Sequence, residues 1–218
     1  MERVLEPEVM DTVEEAEAYD AMDHTEANQN FVRRLLDLGA VGKVLDIGTG
    51  PGTIPLLLCS QHASCEVVGV DLSTEMLKLA EEHRQRSEHA SRVRFQLADA
   101  KGLGFADHSF DCVCSNTILH HIPDPGPFLA EAWRVLKPGG VLLIRDLFRP
   151  HTAAEADQLV QLHASKEPPL SQRLFRDSLG AAFTPDELEK MAFRAGLTDF
   201  HVVVDSDRHM SLQTSARH

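Results

Sequence analysis

Short, largely apolar runs alternate along the chain with longer segments whose apolar positions recur at helical spacing. The short runs are Lys43–Ile47, 66–70, Val93–Leu97, 110–115 and 140–147. Their length and β-branched content read as strands, and the intervening segments read as helices. Strands alternating with helices predict βαβ units, hence an α/β fold with a doubly wound, mostly parallel sheet. Near the end, 201–205 reads as another strand, and 209–214 as its antiparallel return.

The helices carry their own punctuation. Ser73 can cap a helix beginning at Thr74, and 125–137 places Phe128, Leu129, Trp133 and Leu136 at helical spacing before Pro138-Gly139-Gly140. Thr184-Pro185-Asp186-Glu187 combines a Thr cap, an early Pro and a Glu at the third position, and Gly196 ends that helix. Two segments exceed what the sheet needs. Residues 1–42, with helical patterns over 8–21 and 26–38, predict an N-terminal helical cap or lid, and 150–183 predicts a helical insertion after the fifth strand. Residues 43–218 would form the main domain, one compact unit with these additions. Loops and insertions of this kind are where binding residues concentrate.

At 218 residues the chain suits one substantial core. Its formal net charge of −13 disfavours a nucleic-acid partner, because such a surface repels phosphate backbones. No apolar run reaches membrane-spanning length, and the start does not read as a signal peptide, so a cytoplasmic protein, monomer or homodimer, is expected. Cys59, Cys65, Cys112 and Cys114 lack zinc-ribbon spacing and read as buried, reduced thiols.

The candidate chemistry begins at Asp46-Ile47-Gly48-Thr49-Gly50-Pro51-Gly52, where a buried strand enters a glycine-rich turn and then a helix. Glycines let the backbone approach a ligand, and a helix N-terminus supplies free N–H groups. A dinucleotide fold uses a similar turn. Here, however, Thr53 stands where the last glycine of the pyrophosphate fingerprint would fall. A carboxylate at Asp46 would repel a pyrophosphate but suits a cationic cofactor. Asp71, ending the second strand, can accept from ribose hydroxyls of either cofactor.

Over roughly residues 40–147 the chain resembles the class I methyltransferases that use S-adenosylmethionine (SAM). Asp46, Gly48, Gly50 and Gly52, with Thr49 between, match the family's first motif, and Asp71-Leu72-Ser73 with Met76-Leu77 resembles its second. The resemblance implies that Asp71 binds the ribose diol and that Leu72 and Met76 lie near the adenine. It also implies that Asp99 and Ala100 meet the adenine amino group and ring, and that Asn116 faces the methionine part. The stretch from Phe128 through Arg134-Val135-Leu136-Lys137-Pro138-Gly139-Gly140 matches the family's helix and turn before its fifth strand.

The resemblance implies methyl transfer to a small-molecule acceptor, leaving S-adenosylhomocysteine. Two other uses of such a pocket stay open: hydrolysis or modification of SAM, and a non-catalytic module that senses SAM or its product. On the acceptor side His120 is a candidate base, favoured over His121 as nearer Asn116, and Arg145 and Asp146 end the fifth strand where α/β sheets keep ligands. An ion pair is the alternative role for Arg145. The N-terminal segment offers Tyr19, which looks like a lid tyrosine, with Met22, Asp23, His24 and Asn28. No metal site is expected: HExxH is absent, and His120 and His121 should point apart on a helix. Ser206 to His209 reads as a solvated polar turn.

Overall fold

A computed structural model describes residues 1–6, 12–21 and 24–214. Among these, the strands β1 (Lys43–Ile47), β2 (Glu66–Asp71), β3 (Val93–Leu97), β4 (Phe110–Asn116), β5 (Leu136–Leu147), β6 (Phe200–Val204) and β7 (His209–Thr214) form one sheet in the order β3-β2-β1-β4-β5-β7-β6. β7 alone runs antiparallel to its neighbours. The expected Rossmann-like sheet is therefore present. The chain winds from β1 outward through β2 and β3, then returns to β4 on the other side of β1. Helices leaving adjacent strands in opposite directions open a crevice at the carboxyl ends of β1 and β4.

Strand alternation sends successive side chains to opposite faces, and each face has its own core. Leu45, Ile47, Val113, Leu142 and Ile144 pack with Phe128 and Leu129 of α5 (Gly126–Val135) and Leu188 of α8 (Pro185–Arg194). Val44, Cys112, Cys114 and Leu143 pack instead with Phe31 and Leu35 of α2 (Thr25–Asp37) and Leu58 of α3 (Thr53–Gln61). All four cysteines are free and buried. Burial pushes the Cys59 thiol up to about 11, so it stays protonated at neutral pH.

The capping signals work as the sequence suggests. Ser73 Oγ accepts from Met76 N at the start of α4 (Thr74–Gln85), and Thr184 and Glu187 form a reciprocal capping box on α8. One boundary differs: α5 stops at Val135, and β5 begins at Leu136, before the Pro-Gly-Gly. Leu136 pairs with Phe110 of β4 across a bulge, and the approaching Pro138 favours extended backbone before it.

The N-terminal segment contributes α1 (Val13–Asp20) and α2; residues 7–11, expected to begin the first helix, lie outside the described residues. The 150–183 segment holds α6 (Ala153–Ala164) and α7 (Pro169–Ala181), which bury Ala156, Val160 and Leu179 against Leu147. Residues 1–6 cross this region. The Arg3 guanidinium donates to the carbonyls of Ala181, His120 and Ile122 and lies 3.7 Å from the Phe183 ring centroid. Arg149, almost fully buried, ties Met1 O, Ala182 O and Glu187 together. Among the described residues no helix is long and apolar enough to cross a membrane.

Candidate active site

The crevice at the carboxyl ends of β1 and β4 holds a cavity of about 350 Å³. Its floor is the glycine turn. Gly48 N and Thr49 N both donate to Val70 O, at 2.8 and 2.9 Å, and so lash the turn to β2. Asp71 then spans two elements: Oδ2 accepts from Gly50 N at 2.8 Å and Oδ1 from Ser73 N at 2.9 Å. A carboxylate offers about four lone-pair directions, so these bonds leave acceptor capacity on Asp71 for a ligand. Burial raises its pKa, and the backbone donors Ser73, Gly50 and Leu72 oppose that rise.

Leu72 is 41% exposed, an apolar side chain facing the cavity beside Met76 and Ala100. Asp99 closes that side, its carboxylate accepting from Lys101 N at 2.8 Å. Tyr19 and His24 stack across the opening with ring centroids 4.6 Å apart, and Asn28 lies beside them. Met22 and Asp23, also offered by this segment, lie outside the described residues. Burial and the nearby Asp71 and Asp46 charges raise the Tyr19 pKa, so the phenol keeps its proton. An ion pair between Asp20 and His83, at 3.3 Å, joins α1 to α4.

Every expected cofactor residue lines the cavity except Asp46 and Gly52. Asp46 lies behind the turn at 1% exposure, accepting from Thr49 Oγ1 at 2.7 Å and from Cys114 Sγ. It sits on the face of β1 that packs against α2 and α3, and its partner Thr49 lines the cavity. Burial, aided by the charge of Asp71, pushes its pKa up to about 6 despite the bonds from Thr49 and Cys114. Gly52 lies below, against Phe95 and Ala80.

On the opposite wall, Asn116 lines the cavity, but His120, Arg145 and Asp146 do not. Period-two alternation puts Arg145 and Asp146 on opposite faces of β5. Arg145 lies away from the cavity, its Nε 3.7 Å from Asp205 and without a hydrogen-bond partner among the described residues. Burial and the charges of Arg145 and Arg208 push neighbouring His209 down to about 3. Ser206 Oγ accepts from the backbone N–H groups of Arg208 and His209, so that polar stretch is the turn between β6 and β7.

His120 is 2% exposed, with its backbone N–H and Nδ1 both on Asp146, at 3.0 and 2.6 Å. Burial pulls its pKa down, but Asp146 and then Glu6 outweigh that and hold it near 9. His121 lines the cavity instead. The two rings do not point apart as expected. They occupy a 3₁₀ turn, Leu119–His121, with centroids 4.1 Å apart, because both approach Glu6. Glu6 comes from the N-terminal segment, so motif spacing gave no sign of it. Thr117 was missed as well: its φ of +65° carries the chain from β4 across the cavity wall, a conformation uncommon outside glycine.

A family model described as a methyltransferase domain matches residues 45–144. The chain is 32% identical to the demethylmenaquinone methyltransferase of Porphyromonas gingivalis, over 78% of this chain and 70% of that protein. It is 34% identical to an arsenite methyltransferase of Aquipseudomonas alcaligenes, over 80% of this chain and 49% of that one. Among solved structures it is similar to the Haemonchus contortus phosphoethanolamine N-methyltransferase 2 bound to S-adenosylhomocysteine, with TM-score 0.67 and 28% identity over 88% of this chain and 43% of that chain. The chain spans about half the length of several curated relatives it matches. With the sheet order, the glycine turn and Asp71 in place, the chain belongs to the class I SAM-dependent methyltransferases.

Proposed function

We propose that this chain binds SAM in the cavity and transfers its methyl group to a small-molecule acceptor. The observation that carries the reading is Asp71, which bridges the glycine turn and the start of α4 while keeping acceptor capacity toward the cavity. The ribose diol is placed there, the adenine between Leu72, Met76 and Ala100 with its amino group at Asp99, and the methionine part along Gly48, Gly50 and Asn116. Residues 1–42 act as cap and lid, with Tyr19 over the sulfonium, on a transfer domain of 43–218. The protein works in the cytoplasm as a monomer or homodimer, without nucleic acid or membrane.

A sulfonium is an activated leaving group, so the protein has mainly to align the acceptor in line and exclude water. The acceptor enters beside Asn116, Ile118 and His121. His120 and Asp146 position that wall from behind. Incubation with methyl-labelled SAM and a panel of oxygen, nitrogen, sulfur and carbon acceptors should yield S-adenosylhomocysteine and labelled acceptor in equal amounts. S-adenosylhomocysteine without a methylated acceptor, or tight binding with neither product, would overturn methyl transfer.

The charge beneath the turn sets a pH dependence. In the empty protein Asp46 holds its proton below about 6. A bound cation favours the carboxylate, so binding releases that proton and strengthens as pH rises. SAM affinity measured calorimetrically should increase about tenfold from pH 5 to 7 and level off above. The slope should be shallower for S-adenosylhomocysteine, which lacks the sulfonium charge. Equal slopes would remove Asp46 from this role.

A further inference from the structure

Glu6, His120 and His121 converge at the edge of the cavity, and methyl transfer from a sulfonium makes no demand for such a cluster. His120 Nε2 lies 3.2 Å and His121 Nδ1 3.4 Å from the same oxygen, Glu6 Oε1. The three candidate ligand atoms lie within 4.8 Å of one another. Glu6 Oε1 is buried, yet among the described residues neither nitrogen meets it at hydrogen-bond angles. Two histidine nitrogens and a carboxylate oxygen around one point form the donor set of an open zinc-type site. In a tetrahedron with bonds of about 2.0–2.1 Å, neighbouring ligand atoms stand about 3.3 Å apart, close to the separations of Glu6 from each histidine.

The surroundings hold the donors in place. Asp146 Oδ1 pairs with His120 Nδ1 at 2.6 Å, which turns Nε2 toward Glu6. A carboxylate behind a ligating histidine is a recurrent outer-shell partner in metal sites. Ser178 Oγ donates to Glu6 Oε2 at 3.4 Å, which leaves Oε1 toward the rings. Arg3 fixes the backbone on both sides, through its bonds to His120 O and Ile122 O. The geometry points to a divalent transition-metal site of the zinc class, built from Glu6, His120 and His121 and oriented by Asp146 and Ser178. A fourth ligand, water or a donor atom of a bound molecule, completes it. Because His121 lines the cavity, the ion would border the acceptor side.

The test uses the full chain, stripped with a chelator and titrated with Co²⁺ in the absence of SAM, so its outcome is independent of the methyl-transfer reading. One equivalent should bind with the intense visible absorption of four- or five-coordinate Co²⁺, and Zn²⁺ should displace it. In Glu6→Gln and His121→Gln that absorption should vanish, and affinity should fall by at least the ~10–100-fold that loss of an outer-shell partner costs. His121 is partly exposed, so its variant is expected to fold, which thermal melting verifies. His62→Gln, at a partly exposed position away from the cluster, should titrate as wild type. A hydrated-ion spectrum in the wild type, or unchanged binding in both variants, would reduce the cluster to an ion pair and overturn the proposal.

Discussion

Replacing Asp71 by alanine should weaken SAM binding about a hundredfold, read by calorimetry at neutral pH. Its two oxygens accept from Gly50 N and Ser73 N, so the substitution leaves two backbone donors without their partner at the cavity floor. It also removes the acceptor proposed for the ribose diol. Hydrogen bonds to charged groups contribute about 1.5–3 kcal/mol each. A net loss near 3 kcal/mol allows for water replacing part of them and corresponds to about a hundredfold. Asp71→Asn should fall between, because its amide presents a donor to one of two backbone donors. Ligand-free stability should drop as well, because both backbone donors lose their partner, offset only in part by relief of the carboxylate's repulsion of Asp46. Affinity within threefold of wild type would displace the ribose from Asp71.

Asp71 was legible in the sequence because it ends the strand that follows the glycine turn and its helix, and the sheet order follows from the alternation of strand and helix. Leu72, Met76, Asp99 and Asn116 were legible for the same reason, each lying at or just beyond a strand end that faces the crevice. Other placements depended on the pleat or on partners distant in the chain. Asp46 reads as a cavity residue by its place before the glycines, yet the pleat turns it behind the sheet to Thr49 and Cys114. Glu6 decides the orientation of His120 and His121, and no spacing rule joins residue 6 to residue 120.

Arg145 and Asp146 are a different case, since the alternation of a strand already places neighbours on opposite faces. Treating both as one acceptor-side pair overlooked that. Arg149, which gathers the N-terminal segment, the end of α7 and the start of α8, carried no sequence signal at all. Its role exists only once those three elements meet. The cofactor cavity is thus written in motifs, whereas the wall at His120 and His121 depends on Glu6 from the N-terminal segment, and no residue of 150–183 lines the cavity.

The glycines of the turn separate binding from folding. At Gly52, φ is +76°, and an added Cβ would stand 2.4 Å from Phe95 Cζ and 3.1 Å from Ala80 Cβ. Left-handed backbone costs a side chain about 1–2 kcal/mol, and forced packing adds about 1–3. Gly52→Ala should therefore destabilise the protein by about 3 kcal/mol, lowering its melting temperature by about 10 °C. Gly52 does not line the cavity, so the molecules that remain folded should bind SAM nearly as wild type does. Gly50 is the reverse. Its φ is +53°, and the only neighbour of an added Cβ is Tyr19 Cε1 at 4.0 Å, so Gly50→Ala should cost about 1 kcal/mol of stability. The methyl group would instead occupy cavity space, and SAM affinity should fall tenfold or more, on the order of 1.4 kcal/mol. Melting curves and calorimetry on both variants test the separation. Equal losses of affinity would mean that the turn moves as one body and that Gly52 shapes the cavity as directly as Gly50 does.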